Sequence, residues 1–243
     1  MRTSAPRFAR RLAKAKCRIT ISGSRRLLAS RYRYEVVAAW FVVRPPMKKN
    51  VAILVFDDVE VLDFAGPFEV FAVADELSGH SLFHTFTLAT KPGTVRARNG
   101  LKVVPDFTLE HCPPPQVIII PGGAGRHALM RMPSLHEWLR QKSRTAEIVM
   151  SVCSGSFVLA AAGLLEGMRV TTHHDCIAEL REFAPQLDVV ESARFTDNGR
   201  FLTSAGIAAG IDCSLHVVQR LAGATAAAAT ARYMEYIPHS SAS

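Results

Sequence analysis

An α/β fold, a parallel sheet sandwiched by helices, follows from three features of this 243-residue chain. Strand-type and helix-type segments alternate from residue 51 onward. The strand-type runs VAILVFD and VIII are continuously apolar rather than alternating, the pattern of strands covered on both faces. The apolar run IVMSV stops at Ser151-Val152-Cys153-Ser154-Gly155 and gives way at once to a small-residue helix. That is the sharp strand-to-helix elbow on which a nucleophile is carried.

The elements follow in order. Residues 51–57 read as a buried parallel strand, and 66–77 as an amphipathic helix with Pro67 in its first turn. Residues 83–90 form a strand, followed by a polar hairpin-like stretch around Asn99-Gly100. Residues 117–123 are a strand ending in a glycine turn, and 127–143 are helical. After the elbow comes a helix over 154–163, then RVTTHH (169–174) as a strand running into a loop, and a short helix over 176–184. VVESARFT and RFLTSA, joined at Asp197-Asn198-Gly199, read as a hairpin, and helices over 208–222 and 225–236 close the chain.

The formal charge of +8 suggests nucleic acid until it is divided along the chain. Residues 1–48 hold 13 of the 29 Lys/Arg and one of the 21 acids. The other 195 residues therefore carry 16 basic and 20 acidic side chains, a net of −4. A mildly acidic domain has no electrostatic footprint for nucleic acid, so none is expected as a partner. Residues 1–48 read as a basic extension, disordered or a misassigned start, because Met47-Lys48-Lys49-Asn50 precedes the first strand like a genuine beginning. Organelle targeting is the competing reading of that composition. The domain is then 49–237 and the tail 238–243. No stretch approaches the ~20 apolar residues of a membrane span, so no membrane partner is expected. Five scattered cysteines without a C-x-x-C pair support neither a disulfide framework nor a zinc cluster, and point to a reducing cytoplasm. No cofactor and no metal are expected.

Sites in open α/β sheets form beyond the carboxyl ends of the strands, and the chemistry-bearing residues fall there. Small residues on either side of Cys153 permit the tight turn, and a helix N-terminus favours thiolate over thiol. A buried structural cysteine is the alternative. Asp63, in the apolar segment LDFAGP after the first strand, would have its pKa raised by desolvation and by a neighbouring thiolate, allowing it to share a proton with sulfur. Its alternative role is a helix N-cap. The backbone N–H groups of Gly122 and Gly123, with that of Ser154, are candidates for an oxyanion hole, against a plain βα turn. His173, twenty residues after Cys153, is a possible acid/base or a structural histidine. His173-His174-Asp175 is set aside as a metal set, since adjacent residues on a strand point apart.

The order strand–DFAGPFEVF, strand–PGG, strand–CSGS–helix and TTHH resembles the ThiJ/PfpI family over residues 49–237. That family belongs to the class I glutamine amidotransferase-like superfamily, which implies a flavodoxin-like sheet. Its peptidase-related members carry Glu in the first loop and His after the cysteine, whereas this chain has Asp63 and Ser154. Those two residues resemble the isonitrile-hydratase arm of the family. The resemblance implies a lyase with Cys153 as nucleophile, Asp63 and Ser154 as its catalytic partners, a small-molecule substrate and a homodimer. Phe64, Phe68 and Phe71 line one helix face, available to a partner or to the sheet. His174 stands where that arm carries Trp, so the substrate stays open between isonitriles, amides and reactive aldehydes, and a redox- or ligand-sensing role stays beside them.

Overall fold

A computed structural model describes residues 48–239. The expectations for the basic extension lie outside the described residues except at Lys48, and those for the tail except at Pro238 and His239. The elements are β1 (Lys49–Leu54), α1 (Val61–Leu77), β2 (Phe83–Ala89), β3 (Val95–Arg96), β4 (Lys102–Val103), β5 (Phe107–Thr108) and β6 (Val117–Ile120). Helices α2 (Arg126–Leu129) and α3 (Pro133–Ser143) follow, then β7 (Ile148–Val152), α4 (Ser156–Ala161), β8 (Arg169–Val170) and α5 (Ile177–Phe183). Strands β9 (Asp188–Val189), β10 (Phe195–Asn198) and β11 (Phe201–Ser204) precede α6 (Ala209–Ala222) and α7 (Ala224–Tyr233).

The main sheet has seven strands in the order β10-β11-β7-β6-β1-β2-β5. All neighbouring pairs are parallel except β10 with β11. The chain steps from β1 to β2 on one side, then returns to β6 on the other, so β2-β1-β6-β7-β11 is the flavodoxin-like order. Its switch point, where ligands bind in such sheets, lies beyond the carboxyl ends of β1 and β6. The continuous apolar runs behave as their composition requires: all four residues of β6 and all five of β7 are buried. Among the described residues no helix is long and apolar enough to cross a membrane.

Several boundaries differ from the sequence reading. Helix α1 begins at Val61, five residues before the expected start, and Pro67 lies inside it. Proline has no N–H to offer the carbonyl four residues back, which here belongs to Asp63. The expected helix over 127–143 is two, because the residue before a proline is driven out of the helical region. Met132, before Pro133, is extended (φ −112°, ψ 93°). RVTTHH supplies only the two-residue β8, which pairs with β9 outside the main sheet. The hairpin turns at Gly199-Arg200, one step later than expected, with Asn198 opposite Phe201. Phe64 and Phe71 are buried in the chain's own core, and only Phe68 of the aromatic stripe is half-buried, so the stripe faces inward.

Candidate active site

Three chain segments meet at the switch point. The first is the start of α1. Asp63 sits in its first turn rather than in a preceding loop, and it is fully buried. The loop before it is stitched to the turn after β6. Val59 bridges Gly123, and the Glu60 N–H donates to the Gly122 carbonyl at 3.0 Å. The same loop binds the β3–β4 ribbon, through Asp58 N–H to the Arg96 carbonyl and Arg98 N–H to the Val59 carbonyl, both 2.9 Å.

The second segment is the elbow after β7. Cys153 adopts φ +55°, a conformation that a side-chain-bearing residue rarely takes and that surrounding structure must enforce. Its N–H donates to the Ala205 carbonyl at 3.2 Å, and its own carbonyl accepts the Thr172 hydroxyl at 2.9 Å. Gly155 passes directly against the Ile120 carbonyl, where any Cβ would collide, which is why the elbow needs a glycine there. The third segment is Pro121-Gly122-Gly123.

Electrostatics decide what this arrangement can do. Asp63 Oδ2 accepts the Gly122 N–H at 2.9 Å, while Oδ1 is buried with no hydrogen-bond partner. Burial pushes the carboxyl up to about 7; the Gly122 N–H opposes this and the charge of Glu60 adds to it. The Cys153 thiol and the Ile207 N–H lie close enough to pull it down somewhat. Burial likewise pushes the Cys153 thiol up to about 12, with the Asp63 charge next in effect and the Ser154 N–H opposing. The expected resting thiolate is therefore not found. Cys153 is 8 % exposed and faces a carboxyl, and α4 is only six residues long, too short a dipole to overcome either. Below about 7 both groups hold a proton; above it the pair holds one, with sulfur as its favoured home.

The oxyanion expectation is also corrected in part. The Gly122 N–H is engaged by Asp63, and the Gly123 N–H donates to Ser154 Oγ at 3.1 Å. Both glycine donors are spent within the site, and the Ser154 N–H points toward the sulfur. His173 is not joined to the pair. Its Nδ1 accepts the Asp175 N–H at 3.3 Å, capping a single 3₁₀ turn over His174–Cys176, and the Cδ2 edge of its ring is directed at Gly206, which has no Cβ to obstruct it. His173, His174 and Asp175 share this turn instead of a strand, and their ligand atoms lie within 4.8 Å of one another. The two imidazoles stack, with ring centroids 4.3 Å apart.

Three contributors were not read from the sequence. Thr172 pins the elbow carbonyl. Ile207 adopts φ +52°, an outlier for a β-branched residue, and brings its N–H toward Asp63. Arg126, 8 % exposed, lies over the Phe157 ring at 4.4 Å and pairs with Glu179. No sequence signal marks Ile207. An arginine just after a glycine-rich turn is the one hint the sequence holds for Arg126.

Comparison with known proteins agrees with this architecture. The profile described as DJ-1/PfpI family matches residues 49–220. An isonitrile hydratase of Pseudomonas putida is 35% identical over 195 residues, covering 79% of this chain and 80% of that protein. An HTH-type transcriptional regulator of Pseudomonas aeruginosa is 30% identical over 195 residues, and there the chain spans about half of the relative, 53%. Among solved structures, a ThiJ/PfpI family protein from Pseudomonas syringae superposes with a TM-score of 0.70 at 30% identity, covering 81% of this chain and 78% of that one. Drosophila melanogaster DJ-1beta reaches the same TM-score, 0.70, at 18% identity, over 79% of this chain and all of its own, a likeness of fold.

Proposed function

The chain belongs to the DJ-1/PfpI family, and from that premise we propose that it is a cysteine-dependent hydratase of the isonitrile-hydratase type, converting an isonitrile to an N-substituted formamide. The observation that carries this reading is Asp63: a fully buried carboxyl facing the thiol, with one oxygen unpartnered and a pKa near 7. A carboxyl tuned to neutral pH is suited to take a proton and return it.

The steps follow from the shared proton. The thiol proton passes to Asp63 as Cys153 Sγ bonds to the terminal isonitrile carbon. Asp63 returns that proton to the same carbon, giving a thioimidate, R–N=CH–S–Cys153. Asp63, ionised again, takes a proton from water as its oxygen adds to the carbon. The second water proton passes from the added oxygen to nitrogen, the carbon–sulfur bond breaks, the thiol takes its proton back from Asp63, and R–NH–CHO leaves. The net change is addition of one water, without redox chemistry or cofactor. Ser154 Oγ, held by the Gly123 N–H, orients the water in this reading. Gly122 restrains Asp63 rather than the oxyanion.

The test is incubation with cyclohexyl isocyanide and detection of N-cyclohexylformamide, with Cys153→Ala as the control. A well-folded protein that yields no product removes this reading. Turnover of amides or methylglyoxal in its place would move the same nucleophile to the alternative family chemistries. The reading further includes a cytoplasmic homodimer acting on a small molecule. Light scattering at micromolar concentration tests the dimer, and a fully active monomer would exclude any dependence of the site on a partner.

A further inference from the structure

Among the described residues Arg126 is the one buried cation, and the hydration chemistry makes no use of it. Its Nε is buried without a hydrogen-bond partner, and Glu179, its ion-pair partner, is half exposed. A cation buried with a donor to spare is a weak source of stability. What the side chain does have is reach. The guanidinium lies over the ring of Phe157 at 4.4 Å, in the helix α4 that leaves the elbow. Nη1 donates to Cys176 Sγ at 3.6 Å, and Nη2 holds Glu179 on α5. The Arg126 N–H donates to the Gly123 carbonyl at 3.2 Å, which roots the residue in the turn after β6. One planar group thus joins α4 to the His174–Cys176 turn from a base on a third segment of the site.

That turn bears on the nucleophile through the elbow backbone. Cys153 sits at φ +55°, and its peptide groups are held on both sides. Its carbonyl accepts the Thr172 hydroxyl at 2.9 Å, with the Ser156 hydroxyl a longer donor at 3.4 Å. Its N–H donates to the Ala205 carbonyl at 3.2 Å. Both holds meet the same turn. Thr172 runs into it through His173, whose carbonyl accepts the Cys176 N–H at 2.8 Å. The His173 ring edge is directed at Gly206, the residue after Ala205. Arg126 fastens the far end, at Cys176 and Glu179.

We propose that Arg126 is a positioning residue, clamping the His174–Cys176 turn to α4 and so holding Cys153 in its strained conformation. A side-chain-bearing residue at positive φ relaxes unless its surroundings over-determine it, and here the clamped turn backs both of the holds. If the turn slackens, the elbow relaxes and the sulfur drifts from its place opposite Asp63. A displacement on the order of an ångström is enough to lose most of the rate of an aligned reaction. Lysine cannot do the same work. Its ammonium is a point donor that keeps the pair with Glu179, but it cannot lie flat over Phe157 while reaching Cys176. Arg126 acts through Thr172 and Ala205, not on the substrate.

This inference rests on the reading of Cys153 as the hydratase nucleophile, and a double-mutant cycle with two readouts separates them. Arg126→Lys, Thr172→Val and the double variant, each checked by thermal melting, are compared with wild type in kcat and KM for cyclohexyl isocyanide. The same proteins are compared in the rate at which iodoacetamide alkylates Cys153, followed by peptide mapping. Arg126→Lys should lower kcat on the order of tenfold, with KM held within about twofold. Thr172→Val should do likewise, and the double variant should lose no more than about twofold further, because both changes slacken one hold. Alkylation of Cys153 should change severalfold in each single variant and no further in the double. Losses that multiply in the double variant overturn this inference. So does a wild-type kcat in Arg126→Lys, whatever its melting temperature. If isonitrile is not turned over but the alkylation rates stay coupled, the hydratase reading falls and the clamp stands; if those rates are also uncoupled, both fall. Should Arg126→Lys melt early, Arg126→Met combined with Glu179→Gln strands no charge and serves with the same readouts.

Discussion

Two aspartates of this protein are almost equally buried and do opposite things. Asp212, on α6, has every oxygen occupied. Arg194 Nε reaches Oδ2 at 2.7 Å, the Tyr236 hydroxyl reaches it at 3.0 Å, and the His239 N–H reaches Oδ1 at 3.0 Å. Asp63 has one N–H on one oxygen, nothing on the other and no ion pair among the described residues. Burial is therefore not what makes a carboxyl reactive. A buried charge with partners ties elements together, whereas one denied partners must hold a proton part of the time.

The sharpest way to break this comparison is to neutralise each aspartate in turn. Asp63→Asn should lower hydratase turnover by about 10²–10⁴-fold, the usual worth of a placed proton-transfer group. Asp212→Asn should leave the per-folded-molecule rate near wild type but cost stability, by about 3–5 kcal/mol for an arginine stranded beside a missing charge. Chemical denaturation and steady-state rates measured on both proteins decide the matter. Equal loss of stability in both would show that Asp63 is structural.

The next effect is smaller and has the opposite sign. The Asp63 pKa stands at about 7 in the folded protein against 3.8 for the ordinary carboxyl. Between those values the native state holds the proton longer than the unfolded state does. Its ionisation therefore costs stability progressively as pH rises through that window, and the cost is complete above about 7. Asp63→Asn should consequently be the more stable protein at pH 8, by no more than a few kcal/mol, with the advantage gone near pH 4. Paired melts at the two pH values test this. The same titration should govern catalysis. With one proton shared by the pair as the active form, kcat/KM should rise through about pH 7 and stay high into the alkaline range, where the thiol stands near 12. A rate that falls above pH 7 would reverse the assigned direction of proton transfer.

The smallest expected effect belongs to Ser154. Ser154→Ala frees the Gly123 N–H and removes one hydrogen bond, about 1 kcal/mol, so turnover should drop by about tenfold or less. Ser154→Thr, which keeps the oxygen, should recover most of it.

The sheet and the elbow were legible because both are written in local pattern: continuous apolar strands, and small residues flanking a cysteine at a period change. Asp63 could be named for the same reason, as an acid in an apolar segment after the first strand. What could not be read was who holds what. The glycine N–H groups were assigned to an oxyanion, but two side chains from distant segments, Asp63 and Ser154, claim them. The thiol was expected to be acidic from its helix, yet burial and the carboxyl across from it outweigh six residues of dipole. His173 reads as the end of a strand, and the chain there is a turn with the imidazole edge against Gly206. Each of these outcomes depends on contacts between residues tens of positions apart, which local pattern does not encode.

The bridge between Val59 and Gly123, with the Glu60–Gly122 hydrogen bond beside it, carries one more consequence. The loop that introduces the acid and the turn that restrains it exchange backbone hydrogen bonds, and the loop is also bound to the β3–β4 ribbon. Opening either wall alone breaks these shared hydrogen bonds. In amide-exchange terms the loop, the turn and the ribbon should behave as one cooperative unit, with the amides of Asp58, Glu60, Gly122 and Arg98 exchanging at similar opening free energies. A disturbance out on the ribbon, far from sulfur, should then reach the proton-carrying carboxyl as a change in how often its enclosure lets water in.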